Sequence, residues 1–125
     1  MTRHEDKHIQ TILSDDFTFQ QKWANLKSNL DQRFGEDLDT NGILFLIGLQ
    51  ELKYVPESLD KQQKTEVLHI AVCKLLSIFG YYVFEKRDED GWPHYLPTDK
   101  LPNIQASQQN RLIQEAIIRY FEEYQ

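Results

Sequence analysis

Two histidines four residues apart with a glutamate after the first, His4-Glu5-Asp6-Lys7-His8, reproduce the H-E-x-x-H spacing of zinc hydrolases. On a helix that spacing puts two imidazoles on one face for zinc, and the glutamate activates a bound water. The flanks argue against it. Thr2, Arg3, Asp6 and Lys7 are polar, whereas such a metal helix is normally buried with apolar flanks. A third ligand would have to come from His69, His94 or a distant acid. A solvated terminal turn is the favoured reading of His4 and His8.

Asp37-Leu38-Asp39-Thr40-Asn41-Gly42 matches the first half of a calcium loop, D-x-D-x-N-G, between two expected helices. Asp37, Asp39 and Asn41 would offer oxygens to the cation. The twelfth loop position should hold a bidentate glutamate, but Gly48 stands there and Glu51 comes three residues late. The loop would also consume apolar residues that a core needs. An acidic helix entry with Asp39 as N-cap fits better.

His69 and Cys73, at i and i+4, could face each other on a helix. A cysteine–histidine pair is nucleophilic only when the thiol is acidified and reachable. Ile70, Ala71, Val72 and Leu75 surround this pair, so packing is the expected role. Tyr81, Tyr82, Phe84, Trp92, His94 and Tyr95 cluster around the acidic turn Asp88-Glu89-Asp90. Tyr and Trp of this kind are enriched at binding hot spots. Tyr82, Phe84, Trp92, His94 and Tyr95 are therefore the leading candidate interaction surface, the competing role being to cover the core. No P-loop, dinucleotide-binding, nucleophile-elbow or paired C-x-x-C pattern occurs. No catalytic residue, resident metal or cofactor is implied.

The elements that must position these residues follow from periodicity. Phe19, Trp23, Leu26, Leu30 and Phe34 make one stripe, predicting a helix over Phe19–Phe34 with Thr18 and Gln21 as a capping box and Gly35 as its end. Asn41–Leu52 is the most apolar window; a strand over Ile43–Leu49 is the rival, but Gln50, Glu51, Leu52 and Lys53 favour a buried helix capped by Asp39 and ended by Tyr54-Val55-Pro56. Gly48 inside it would let another helix approach closely. Asp60–Phe79 is the next helix, with Ser58 or Asp60 as its cap, Gln63 three residues after Asp60, and Gly80 at its end. Tyr81–Arg87 and Trp92–Leu96 should pair as a hairpin, Pro93 confining the second strand to an edge. A last helix is expected over Ser107–Tyr124, with Ser107 as cap. Ile9, Ile12 and Leu13 leave room for a short helix before all of these.

Composition sets outer limits. The 125 residues suffice for one ordinary domain with its own core. A net charge of −6 with scattered Lys and Arg disfavours nucleic-acid backbones and anionic membranes. A single cysteine forbids an intrachain disulfide and suits a reducing compartment. Residues 1–10 lack the apolar core of a secretory signal. The apolar run Ile43–Ile47 is far too short to span a bilayer.

The expected fold is thus mainly α: a compact bundle of three long helices, room for a short N-terminal helix, and a small β-hairpin between the last two long helices. It is expected to form a single globular domain over 1–125, with 1–8 frayed. The expected function is a small cytoplasmic, non-catalytic protein-interaction or regulatory module. Its partner would be another protein or a second copy, with no nucleic acid and no membrane. The first alternative is divalent-cation binding through Asp37, Asp39 and Asn41. The second is a zinc-dependent hydrolase through His4 and His8.

Overall fold

A computed structural model of the chain describes residues 13–35 and 37–124. The His4–His8 motif, and Ile9 and Ile12 of the expected N-terminal helix, lie outside them. The described chain is mainly helical, and a two-stranded antiparallel hairpin precedes the last helix. The elements are α1 (Asp16–Phe34), α2 (Thr40–Glu51), α3 (Lys61–Ser77), β1 (Tyr82–Arg87), β2 (Pro93–Pro97) and α4 (Ala106–Tyr124). α1, α3 and α4 are the long helices, and α2 is the shorter apolar one. No helix among the described residues is long and apolar enough to cross a membrane. The residues group into two compact units. One joins the chain up to Leu38 with the chain from Pro102 onward, and the other is Asp39–Leu101.

The first unit pairs α1 with α4. α1 begins three residues before the predicted Phe19, because Asp15 rather than Thr18 is its N-cap. The Asp15 carboxylate accepts both the Thr18 N–H and the Thr18 hydroxyl at 2.9 Å. These hydrogen bonds hold its carboxyl below the usual carboxylate value. Gly35 ends the helix at φ 73°, its N–H donating to the Asp31 carbonyl at 2.8 Å. Phe19 and Leu30 of the predicted stripe are buried, while Phe34 at the helix end is exposed. On α4, Leu112, Ala116, Ile117 and Tyr120 form the buried face. The helix starts at Ala106, which places the backbone of Ser107 inside its first turn rather than at the cap.

A charged cluster sits in this unit. Glu115 is 4% exposed and accepts the Ser14 hydroxyl, with Oε1 and Oε2 at 2.9 and 3.0 Å. Arg111, one turn earlier, donates to Asp16 Oδ1 at 2.9 Å and to the Ser14 carbonyl at 2.7 Å. Its guanidinium carbon lies 3.9 Å from the Phe19 ring centroid, within cation–π range.

The second unit is built on α2 and α3. Asp39 caps α2, accepting the Gly42 N–H at 2.7 Å. Ile43 and Ile47 are fully buried one turn apart, as expected of the most apolar window. α3 opens with the predicted capping box: Asp60 accepts the Gln63 N–H at 2.8 Å, and the Gln63 side chain accepts the Asp60 N–H at 3.0 Å. Helical chain ends at Ser77 and a turn carries it to Gly80, two residues short of the predicted end. Gly48 faces Val67 on α3. A Cβ at Gly48 would run into the Val67 carbonyl oxygen and lie 2.6 Å from Val67 Cγ1. Here the missing side chain sets how near the two helices come. Leu52, Val67, Ile70 and Trp92 form a buried cluster, with Phe45, Leu49 and Leu59 packed against it.

The hairpin pairs Tyr82 with Pro97, Val83 with Leu96, Phe84 with Tyr95, Lys86 with His94 and Arg87 with Pro93, with a register shift between Phe84 and Lys86. Gly91 closes its turn at φ 83°, a conformation that favours glycine. Its carbonyl accepts the Arg87 guanidinium at 2.7 Å and the Lys53 N–H at 3.3 Å. The same guanidinium nitrogen donates to the Glu51 carbonyl at 2.8 Å, so the turn is tied to the end of α2.

Candidate functional site

Within the Asp39–Leu101 unit, one face of α3 and the second half of the hairpin border a cleft of about 220 Å³. Glu66, His69, Ile70 and Cys73 line one wall; Asp88, Trp92, Pro93, His94 and Tyr95 line the other. The helical residues are spaced i, i+3, i+4 and i+7, which places them on one side of α3. Ile70, Cys73, Trp92 and Pro93 are buried and make an apolar floor. Glu66, His69, Asp88 and His94 are exposed and make a polar rim.

Asp88 organises the hairpin side. Its Oδ1 accepts the backbone N–H groups of Asp90 and Trp92, both at 3.0 Å. Its Oδ2 lies 2.9 Å from His94 Nε2. The carboxylate therefore builds the turn and also tethers the imidazole. The hydrogen bond to His94, followed by that from Trp92, holds the Asp88 carboxyl below its ordinary value. A depressed folded-state pKa contributes stability above the unfolded value and loses it as pH falls. The urea midpoint is accordingly expected to drop as pH is lowered from about 5 to about 3. In Asp88→Asn that drop should be shallower. Parallel titrations of equal steepness would show that Asp88 contributes nothing to the linkage.

The predicted pairing of His69 with Cys73 is present, with Sγ 3.5 Å from His69 Nε2. Cys73 is only 2% exposed, and burial pushes its thiol up from 9.0 to about 11. That is the opposite of activation, since the thiolate is the nucleophile. Two units of pKa cost roughly 100-fold in thiolate population, and the greater nucleophilicity of a more basic thiolate returns only about tenfold. Iodoacetamide should therefore modify Cys73 at neutral pH at least about tenfold more slowly than an unfolded control of the same chain. Equal rates with and without urea would mean that the thiol is neither shielded nor perturbed.

The other candidate residues fall in several places. Trp92 is 7% exposed and belongs to the core cluster, where it anchors the hairpin. Tyr82 and Tyr95 are half-buried, and Phe84 meets Tyr95 edge-on with ring centroids 5.9 Å apart. His94 is exposed beside Asp88. Val83 and Leu96, opposite each other in the register, are also exposed.

Asp37 pairs with the Lys27 ammonium at 3.2 Å, and the Asp39 carboxylate is taken up by the Gly42 N–H. Thr40, Asn41 and Gly42 are already helical, so this stretch is the capped start of α2. Among the described residues, no three His, Cys, Asp or Glu side chains are gathered as a metal ion would require.

Glu66 and Asp88 were not singled out from sequence as site residues. The spacing of 66, 69, 70 and 73 is visible in the chain, but nothing local says that this side of α3 meets the hairpin. The chain matches no protein-family model, no curated protein and no solved structure.

Proposed function

We propose that this protein is a small non-catalytic protein-interaction module, working in the cytoplasm, whose docking surface is the hairpin. One observation carries the reading: Val83 and Leu96, paired across one face of the hairpin, are 49% and 48% exposed, and Phe84 on the other face is 54% exposed, while the hairpin is otherwise anchored. Exposed apolar side chains grouped on a supported element are a feature of interaction sites. The anchoring comes from buried Tyr81 and Trp92, and from the Arg87 and Asp88 hydrogen bonds around the turn. A rigid platform lowers the ordering cost of binding. Among the described residues the sheet has two strands and none beyond β1, and β1 lacks the prolines that β2 carries at 93 and 97. An extended segment of a partner could therefore add beside β1. The acid-rich charge and the single buried thiol are consistent with a protein partner in a reducing compartment.

The test uses Val83→Asp combined with Leu96→Asp, changes at exposed positions that leave the anchors intact. The pair is expected to keep the helical circular dichroism while abolishing complexes recovered with the wild-type chain, including any concentration-dependent self-association in sedimentation. Complexes that survive both this pair and Phe84→Ala with Tyr95→Ala would remove the hairpin as the docking surface.

A further inference from the structure

The cleft beside the hairpin has a chemistry of its own. Its floor is apolar, and its rim holds the carboxylates of Glu66 and Asp88. No lysine or arginine is among the described residues that line it. The two imidazoles and the Tyr95 ring complete a wall of aromatic faces and acceptors. An opening of about 220 Å³ suits one long side chain rather than a whole cofactor. Anions are disfavoured by two rim carboxylates, and a purely apolar group would leave those carboxylates with nothing to meet.

We infer that the cleft between Glu66, His69 and Cys73 of α3 and Asp88–Tyr95 of the hairpin receives an arginine side chain of the partner protein. This rests on the interaction reading above and adds the partner's chemistry to it. The aliphatic stem covers Ile70 and the edge of Trp92, while the guanidinium turns outward to the Glu66 and Asp88 carboxylates. Arginine is favoured over lysine for two physical reasons. Its planar fork meets carboxylates with paired N–H groups, and its flat face stacks on aromatic rings such as Tyr95. Its weaker hydration also lowers the cost of leaving water. Asp88 keeps acceptor capacity for this contact, because an ionised carboxylate offers about four lone-pair sites.

The experiment needs no knowledge of the partner. The full chain, labelled with nitrogen-15, is titrated with N-acetyl-arginine methylamide and, separately, with the citrulline counterpart, which has nearly the same shape and no charge. Saturable shifts are expected in the amides of residues 66–73 and 88–95 and in the Trp92 indole. Citrulline should bind about fivefold more weakly, the upper end of what an exposed ion pair supplies. Glu66→Gln should weaken arginine binding about threefold without moving the melting temperature, because Glu66 is exposed. Equal shifts from arginine and citrulline, shifts that never saturate, or shifts that map elsewhere would overturn the assignment. The Val83→Asp, Leu96→Asp pair keeps the two readings apart: its effect is on complexes, and arginine binding in the cleft should survive it.

Discussion

Gly48→Ala is expected to destabilise the protein by about 2 kcal/mol, even though alanine is the better helix former. The two effects oppose each other. Replacing a mid-helix glycine by alanine gains about 1 kcal/mol of helix propensity. Against that, the new methyl would overlap the Val67 carbonyl oxygen and crowd Val67 Cγ1 at 2.6 Å. Neither obstacle is the free end of a flexible side chain. One is backbone inside α3, and the other is a stiff β-branched group in the buried cluster. Relief requires α2 and α3 to separate, which loosens the packing of Phe45, Leu49 and Leu52 against Val67 and Ile70. Overpacking of this kind costs about 1–3 kcal/mol, and a backbone obstacle that cannot rotate away puts this position at the upper end, so the clash exceeds the propensity gain by about 2 kcal/mol. Urea unfolding followed at 222 nm measures the difference. A neutral or stabilised variant would mean that the close α2–α3 approach does not exist, and that propensity alone acts at this position.

Arg111→Met is expected to cost about 3 kcal/mol, the larger part of it through Glu115 rather than through arginine's own bonds. Glu115 is 4% exposed and has two neighbours of note, the Ser14 hydroxyl and the Arg111 Nε 3.8 Å from its Oε2. Removing the guanidinium takes away the cation that stands 3.8 Å from this buried carboxylate. It also removes hydrogen bonds to Asp16 and the Ser14 carbonyl, and the stacking over Phe19. The contact with exposed Asp16 adds little by itself, because water screens it. A double variant separates these causes. Glu115→Leu in the Arg111→Met background should recover more than half of the loss, since the stranded charge is then gone. Arg111→Lys should not rescue, because a point charge on a flexible stem reproduces neither the fork nor the stack. If the double variant is as unstable as Arg111→Met alone, the buried charge is not the source of the penalty.

Both predictions concern residues whose sequence signals differ. Gly48 was readable as a close-contact glycine, since it interrupts the most apolar helix without ending it. Arg111 and Glu115 stand one helical turn apart, a spacing that by itself says nothing of burial. Only the fold brings Ser14, Asp16 and Phe19 onto them. The same division holds at the cleft. The bond between His69 and Cys73 is a matter of one helical turn, and it was legible. The meeting of Glu66 and His69 with Asp88 and His94 depends on how the hairpin folds back on α3, which no local pattern encodes. Trp92 shows the limit from the other side. Its composition marked it as a hot-spot residue as much as a core residue, and burial beneath the hairpin assigns it to the core.

What the chain determined by itself was therefore local and periodic. The Asp39 and Asp60 caps, the Gly35 terminator, the apolar stripes and the turn at Asp88–Gly91 each depend on residues within a turn or two of one another. Such hydrogen bonds and spacings form wherever the sequence occurs, because their partners cannot be far away. The tertiary structure decided which of several apolar faces meet, how near α2 comes to α3, and which acids share a cleft. Those outcomes rest on non-directional burial of apolar surface, which rewards many pairings almost equally until close packing selects one.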